Sequence, residues 1–205
     1  MSGQQGDSGF GSIQTSRLIL RRFRPGDAAT FYDYRSDPDV SRYQGWKPRS
    51  VEEVEAFIEK VSVLHPNTPG TWFQVAVCRR DSGELIGDCG MRFPADDDTQ
   101  AEIGFTIAPA HQGRGYATEA VTAVLEYLFG VLKKHRVYGS VDPRNTRSIA
   151  LLTRIGMREE AHFVKSIVMN GEWADDVIYA ILDEEWPLHN VMRGARLETE
   201  YAPQR

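Results

Sequence analysis

The chain has 205 residues and a formal net charge of −5, with 41% hydrophobic and 26% charged side chains. Such a balance is ordinary for a soluble globular domain, and its acidic sign excludes a general nucleic-acid binder, which needs a broad basic face. No apolar run of about 18 residues is present to form a membrane-spanning helix, and no signal-peptide core opens the chain, so one cytoplasmic domain is expected.

Residues 1–12 are rich in Gly, Ser and Gln and read as a disordered leader before a domain over residues 13–186. Alternation from Arg17 to Phe23 predicts a strand. Pro25-Gly26-Asp27 then opens a helix carrying Ala28, Phe31 and Tyr32, which Asp37-Pro38 ends. Ser50 and Glu53 have capping-box spacing, and Val54, Phe57, Ile58, Val61 and Leu64 follow on one helical face. Trp72–Arg79 and Glu84–Arg92 flank Asp81-Ser82-Gly83 as the arms of a hairpin. Cys78 and Cys89 sit on its two arms and are expected to be neighbouring, reduced packing thiols.

After a polar stretch, Ala101–Ala108 is the next strand, and a glycine-bearing loop leads into the longest helix. There Ala117, Ala120, Val121, Val124, Leu125, Leu128, Phe129 and Leu132 keep the helical period. Arg136–Val141 predicts a strand, and Thr146–Ile155 a helix with Asn145 as N-cap and Gly156 just past its end. A hairpin of His162–Met169 and Trp173–Leu182 turns at Asn170-Gly171, and residues 187–205 form a polar tail.

The loop Gln112-Gly113-Arg114-Gly115-Tyr116-Ala117 between a strand and a helix has the makings of a phosphate cradle. First-turn N–H groups lack internal partners, the helix dipole favours an anion, and glycine lets a phosphate approach the backbone. A P-loop requires Gly-Lys-Ser/Thr, which is missing here. A dinucleotide fingerprint requires a third glycine where Thr118 stands.

The loop instead resembles the (Arg/Gln)-x-x-Gly-x-(Gly/Ala) motif of the GNAT superfamily of acyl-CoA-dependent N-acetyltransferases. Ala101-Glu102-Ile103-Gly104-Phe105 before it, with Asn145-x-x-Ser148 and Ile155-Gly156-Met157 after it, strengthen the resemblance, which covers Gln14 to Trp186. The phrases Thr15-Ser16-Arg17-Leu18-Ile19-Leu20-Arg21 and Glu102-Ile103-Gly104-Phe105 suit the branch containing ribosomal-protein N-terminal alanine or serine acetyltransferases. It implies an α+β fold, with a mixed, mostly antiparallel sheet flanked by about four helices and a splayed strand pair holding acetyl-CoA as acyl donor. Backbone groups of Phe105, Thr106 and Ile107 would pair with the pantetheine arm, and the N–H of Ile107 would polarise the thioester carbonyl. Gln112, Gly113, Arg114, Gly115, Tyr116, Ala117 and Thr118 would hold the pyrophosphate. Asn145 and Ser148 would complete the donor site.

The amine must be neutral to attack. An α-amine with a pKa of about 7.7–8.0 is appreciably neutral near pH 7.5, while a lysine at about 10.4 is neutral in roughly one part per thousand. Glu102, which shares a strand face with Gly104 and Thr106, is the expected base. Many relatives carry a tyrosine acid where this chain has Leu152, so Ser148 is the expected substitute; Tyr138 reads as packing. Tyr43 and Trp46, with Gln44 and Gly45 between them, are expected to line the acceptor side, and Asp175 and Asp176 to attract a cationic amine. Asp96-Asp97-Asp98 reads as a solvated loop, and no His/Cys cluster has metal-ligand spacing. The reading is an N-acetyltransferase acting on a protein N-terminus or a small-molecule amine, without nucleic-acid or membrane partners and with room for a homodimer. The alternative is a non-catalytic acyl-CoA-binding sensor or scaffold.

Overall fold

The computed structural model describes residues 10–169 and 171–186, and residues 200–202 by their backbone alone. The chain opens with strands β1 (Ser12–Gln14) and β2 (Leu18–Arg21), followed by helices α1 (Ala28–Ser36), α2 (Pro38–Ser41) and α3 (Val51–Ser62). Three strands follow as β3 (Thr71–Arg79), β4 (Leu85–Phe93) and β5 (Gln100–Ile107). Helix α4 (Tyr116–Glu126) widens into a π-turn at Tyr127–Val131, where Leu132 N–H reaches back five residues to Tyr127 O. Strand β6 (Arg136–Val141), helix α5 (Thr146–Arg154) and strands β7 (Arg158–Met169), β8 (Glu172–Leu182) and β9 (Glu200–Ala202) complete the order.

The nine strands of the described residues form one sheet in the order β7-β8-β6-β5-β4-β3-β2-β1-β9. Every junction is antiparallel except β5 with β6, so the fold is the expected α+β arrangement with a mostly antiparallel sheet. One sheet face packs under α4 and α5 through Phe73, Val75, Met91, Ile103, Val124, Leu128 and Leu152. The other face meets α1 and α3 through Phe31, Val54, Ile58, Ala76 and Leu85. Fully burying each Phe, Val, Leu, Ile or Met among them contributes about 1.5–3 kcal/mol. Ser50 caps α3 by accepting from the Glu53 N–H, as the capping-box spacing predicts.

Four expectations change. Phe10, inside the stretch expected as a leader, is buried and packs edge-on against Phe73 and Tyr127, with centroids 5.0 and 5.4 Å away. Its aromatic area outweighs the polar composition around it. Asp37-Pro38 does end α1, but the Asp37 carboxylate at once caps α2 by accepting from the N–H groups of Asp39 and Val40. Cys78 and Cys89 are buried and free, yet they lie in the two opposite cores; strand alternation separates them. Within the expected tail, β9 pairs with β1. Asn170 of the predicted turn and residues 187–199 and 203–205 of the tail lie outside the described residues.

Candidate active site

Strands β5 and β6 pair only at Gln100 with Arg136, Ala101 with Val137 and Glu102 with Tyr138. Past that point β5 stays on β4 as far as Ile107 opposite Gly87, while β6 stays on β8 as far as Val141 opposite Val177. Each strand follows its antiparallel neighbour, so the two diverge. Phe105, Thr106 and Ile107 therefore stand on the stretch of β5 that β6 no longer pairs. An unpaired row of backbone groups inside a sheet is a slot for an extended, amide-bearing arm.

The glycine loop closes one end of the slot. Gly113 and Gly115 have φ of 75° and 80°, the left-handed region that favours glycine, and Gly115 stands at the N-cap position of α4. The first backbone bond of that helix runs from Glu119 N–H to Gly115 O at 3.1 Å. The N–H groups from Gly113 to Thr118 donate to no protein acceptor among the described residues. A Cβ on Gly113 would meet nothing within 4 Å, and one on Gly115 only the Arg17 guanidinium at 3.4 Å. Bare, open donors at a helix start fit a pyrophosphate.

Gln112 shapes this loop. Its Nε2 donates to Ile107 O at 2.9 Å and its Oε1 accepts from Arg147 at 3.0 Å, so one amide ties β5 to α5. Arg17 does the same from the other side, donating to Arg114 O at 3.0 Å, pairing with Glu119 at 2.6 Å and lying 4.8 Å over the Tyr116 ring. The Arg114, Arg147 and Arg154 side chains are exposed around the start of α4, so the cradle is electropositive in a chain that is acidic overall. Asn145 caps α5, its Oδ1 accepting from Ser148 N–H at 3.2 Å. Ser148 is half-buried on the first turn of that helix.

The face of β5 that carries Glu102, Gly104 and Thr106 looks toward α1 and its following loop. Glu102 pairs with Arg92 at 3.1 Å. Tyr138, expected as packing, is half-buried opposite Glu102; burial first, and then the Glu102 charge, push its phenol above the usual range. The Arg136 guanidinium lies 4.8 Å over its ring. Four residues further along β4 and β5, Asp88 is fully buried and accepts from Tyr34 Oη at 2.8 Å, Gln74 Nε2 at 2.5 Å and the Arg35 guanidinium. Opposite Asp88, the Thr106 hydroxyl is buried with no hydrogen-bond partner among the described residues. Leaving a buried hydroxyl without a partner is costly. The sequence carries no local signal for this cluster, because its members come together only through strand register.

The four acceptor-side residues separate. The Tyr43 hydroxyl donates to Arg144 O at 3.4 Å, bridging the loop before α3 to the loop before α5. Trp46 stacks on Phe57 at 4.8 Å and donates to Glu53 at 3.0 Å, which sets it in the helical wall. Asp175 and Asp176 are consecutive on a strand and point to opposite faces. Asp176 accepts from Ser140 Oγ at 2.5 Å, whereas Asp175 binds His162 at 2.8 Å and the Lys165 N–H at 2.9 Å within its own hairpin. Among the described residues no group of three or more His, Cys, Asp or Glu side chains could hold a metal, and no helix is long and apolar enough to cross a membrane.

Comparison with known proteins identifies the family. The acetyltransferase (GNAT) domain family matches residues 17–158. The chain is 36% identical over 174 residues to the uncharacterized N-acetyltransferase YnaD of Bacillus subtilis, covering 85% of this chain and 98% of the relative. It is 26% identical over 181 residues to the ribosomal protein uS5-alanine N-acetyltransferase of Escherichia coli, covering 85% and 92%. The crystal structure of spermidine N-acetyltransferase from Vibrio cholerae in complex with CoA and spermine superposes with a TM-score of 0.72 at 26% identity, covering 84% and 99%.

Proposed function

The chain belongs to the GNAT family of acetyltransferases and is an acetyl-CoA-dependent N-acetyltransferase, and on that premise we propose that its acceptor is the α-amine of a peptide N-terminus. The observation that carries this reading is the position of Glu102. It stands at the last paired rung before the strands part, on the face turned toward the helical wall and away from the α4 core. A carboxylate there meets an amine arriving from the α1 side as that amine reaches a thioester in the slot.

Acetyl-CoA supplies an activated thioester, whose acetyl carbon forms the new C–N bond as its C–S bond breaks and CoA leaves as the thiol. The cradle at Gly113–Thr118 binds the donor's pyrophosphate, and the open edge of β5 receives its amide arm, with the Ile107 N–H directed at the carbonyl oxygen. Glu102 takes the proton that the amine loses, directly or through one water. Ser148, on the far bank of the slot, donates a hydrogen bond to the departing sulfur. A thiol of pKa about 8.5 is a tolerable leaving group, so this last contribution is modest. An α-amine, partly neutral at physiological pH, asks less of Glu102 than a lysine does. The uS5-alanine relative acts on such an amine by name, and the spermidine relative on a polyamine.

The test is CoA release with three acceptors: a short alanine-initiated peptide, the same peptide N-terminally blocked but containing lysine, and spermidine. Mass spectrometry then locates the acetyl group. Acetylation at the free N-terminus alone supports the proposal; transfer only to lysine or only to spermidine sinks it.

A further inference from the structure

Strand register lays a row of side chains across the acceptor-facing side of the sheet. Trp72 stands opposite Arg92, Arg92 opposite Glu102 and Glu102 opposite Tyr138, on four successive strands. The adjacent row is nearly empty: Gln74 opposite Gly90, and Gly90 opposite Gly104, with the slot beyond. The two glycines leave a trough in the sheet surface, and the Trp72 ring leans into it. A Cβ on Gly90 would lie 3.0 Å from the indole and 2.7 Å from Gln74 Oε1, and one on Gly104 would touch the ring at 3.8 Å. The indole nevertheless remains 41% exposed.

An isolated exposed tryptophan needs no explanation. This one reaches Gly104, two residues past the last paired rung, where the strands have begun to part. A flat, exposed aromatic surface beside the start of the slot fits a planar group, which is what a peptide bond offers.

The charges on this face fit the same ligand. Glu102 is paired with Arg92, and Asp88 is buried beneath Arg35. Asp176 is held by the neutral Ser140 hydroxyl. Two of these three carboxylates already carry a guanidinium, so the face has little net negative field for a tri- or tetracation but suffices for one ammonium.

We propose that Trp72, seated across Gly90 and Gly104, is a specificity-determining residue whose indole stacks on the first peptide bond of the acceptor. The inference rests on the α-amine reading above. It makes Trp72 responsible for acceptor affinity and not for the chemical step.

The experiment measures steady-state kinetics with an alanine-initiated tetrapeptide and with n-butylamine, which has an amine but no peptide bond. Trp72→Ala is expected to raise the peptide KM roughly tenfold, the scale of one lost aromatic contact. Its kcat changes by less than about threefold, as does the KM for butylamine, because only uniform binding is removed. Trp72→Phe retains most of the peptide affinity. Gly90→Ala keeps the indole but displaces it, and raises the peptide KM in the same way; this second route holds if Trp72→Ala folds poorly. Acetyl-CoA affinity by calorimetry stays within about threefold of wild type in all three variants. The proposal is overturned if Trp72→Ala and Gly90→Ala leave the peptide KM within about twofold of wild type, or shift peptide and butylamine KM alike. Wild-type protein that acetylates spermidine but neither peptide nor butylamine overturns the α-amine reading and this inference with it. Peptide acetylation that is indifferent to Trp72 overturns this inference alone.

Discussion

Glu102 and Tyr138 face each other at the last rung of the parallel junction, and the slot begins with the next residue on each strand. A rung placed there is fixed by two ladders, since β5 is held by β4 and β6 by β8. The Glu102 side chain is therefore positioned by rigid backbone, and Arg92 restrains it further at 3.1 Å.

Replacing Glu102 with Gln keeps the shape and removes the proposed base. The rate is expected to fall about 10²–10⁴-fold at neutral pH, with acetyl-CoA affinity nearly unchanged. The deficit should shrink as pH rises and more of the acceptor amine is neutral without help. Rates measured from pH 7 to 9.5 decide the matter: a ratio to wild type that stays constant makes Glu102 a structural partner of Arg92.

The cradle makes a separate demand on Gly115. With φ at 80°, any side chain there is strained, by about 1–2 kcal/mol, and its Cβ would also meet the Arg17 guanidinium at 3.4 Å. Gly115→Val is expected to lower acetyl-CoA affinity by at least roughly a hundredfold, while Gly115→Ala loses less, because one methyl obstructs less than a branched chain. Calorimetry on protein whose melting temperature shows it folded separates blocked binding from unfolding. Unchanged affinity in folded Gly115→Val would remove the cradle from the donor site.

Periodicity made most of this fold legible. The apolar stripe from Ala117 to Leu132 and the Ser50 cap each reported a local rule: α4 formed over Tyr116–Glu126, with the rest of the stripe in the π-turn and just past it, and α3 started at Ser50. What stayed hidden depends on pairing at a distance. Nothing near Trp72 in sequence reveals that Gly90 and Gly104 lie beneath its ring, because that follows from register across three strands. Asp88 carries no local sign that Tyr34, Arg35 and Gln74 will enclose it. The chain start misled for the opposite reason: composition averaged over twelve residues diluted Phe10, whose single ring is in the core.

Glu119 connects that chain start to the cradle and gives it a pH dependence. Burial alone would raise its carboxyl pKa, but hydrogen bonds from Thr15, the Arg17 backbone, the Arg17 side chain and Ser16 outweigh burial and hold it below the usual range. The folded pKa is thus depressed relative to the unfolded value of about 4.3. Its stabilisation is complete above that value and is lost as pH falls through the folded one. Glu119→Gln should lower the melting temperature at pH 7 by on the order of 5 °C, and the gap to wild type should narrow below pH 4. A gap of the same size at pH 7 and pH 3.5 would show that the carboxylate charge is irrelevant to the tie.

The last prediction concerns leaving-group protonation. Ser148 lies on the first turn of α5, with its backbone N–H already capped by Asn145. If it donates to the departing sulfur, Ser148→Ala should reduce kcat roughly tenfold to a hundredfold while the acetyl-CoA KM moves less. A phenol cannot take over from the next turn of the same helix. Leu152 is 2% exposed, and its methyl groups lie 3.7 and 3.8 Å from where a Cβ on Gly139 would stand, so a tyrosine in its place overfills a packed site. Leu152→Tyr is expected to destabilise the fold by about 1–3 kcal/mol in urea titration and to restore no rate to Ser148→Ala. The two variants separate packing from proton transfer. Full kcat in Ser148→Ala makes Ser148 a helix-turn residue and leaves protonation of the thiolate to water, which a leaving group of this acidity tolerates.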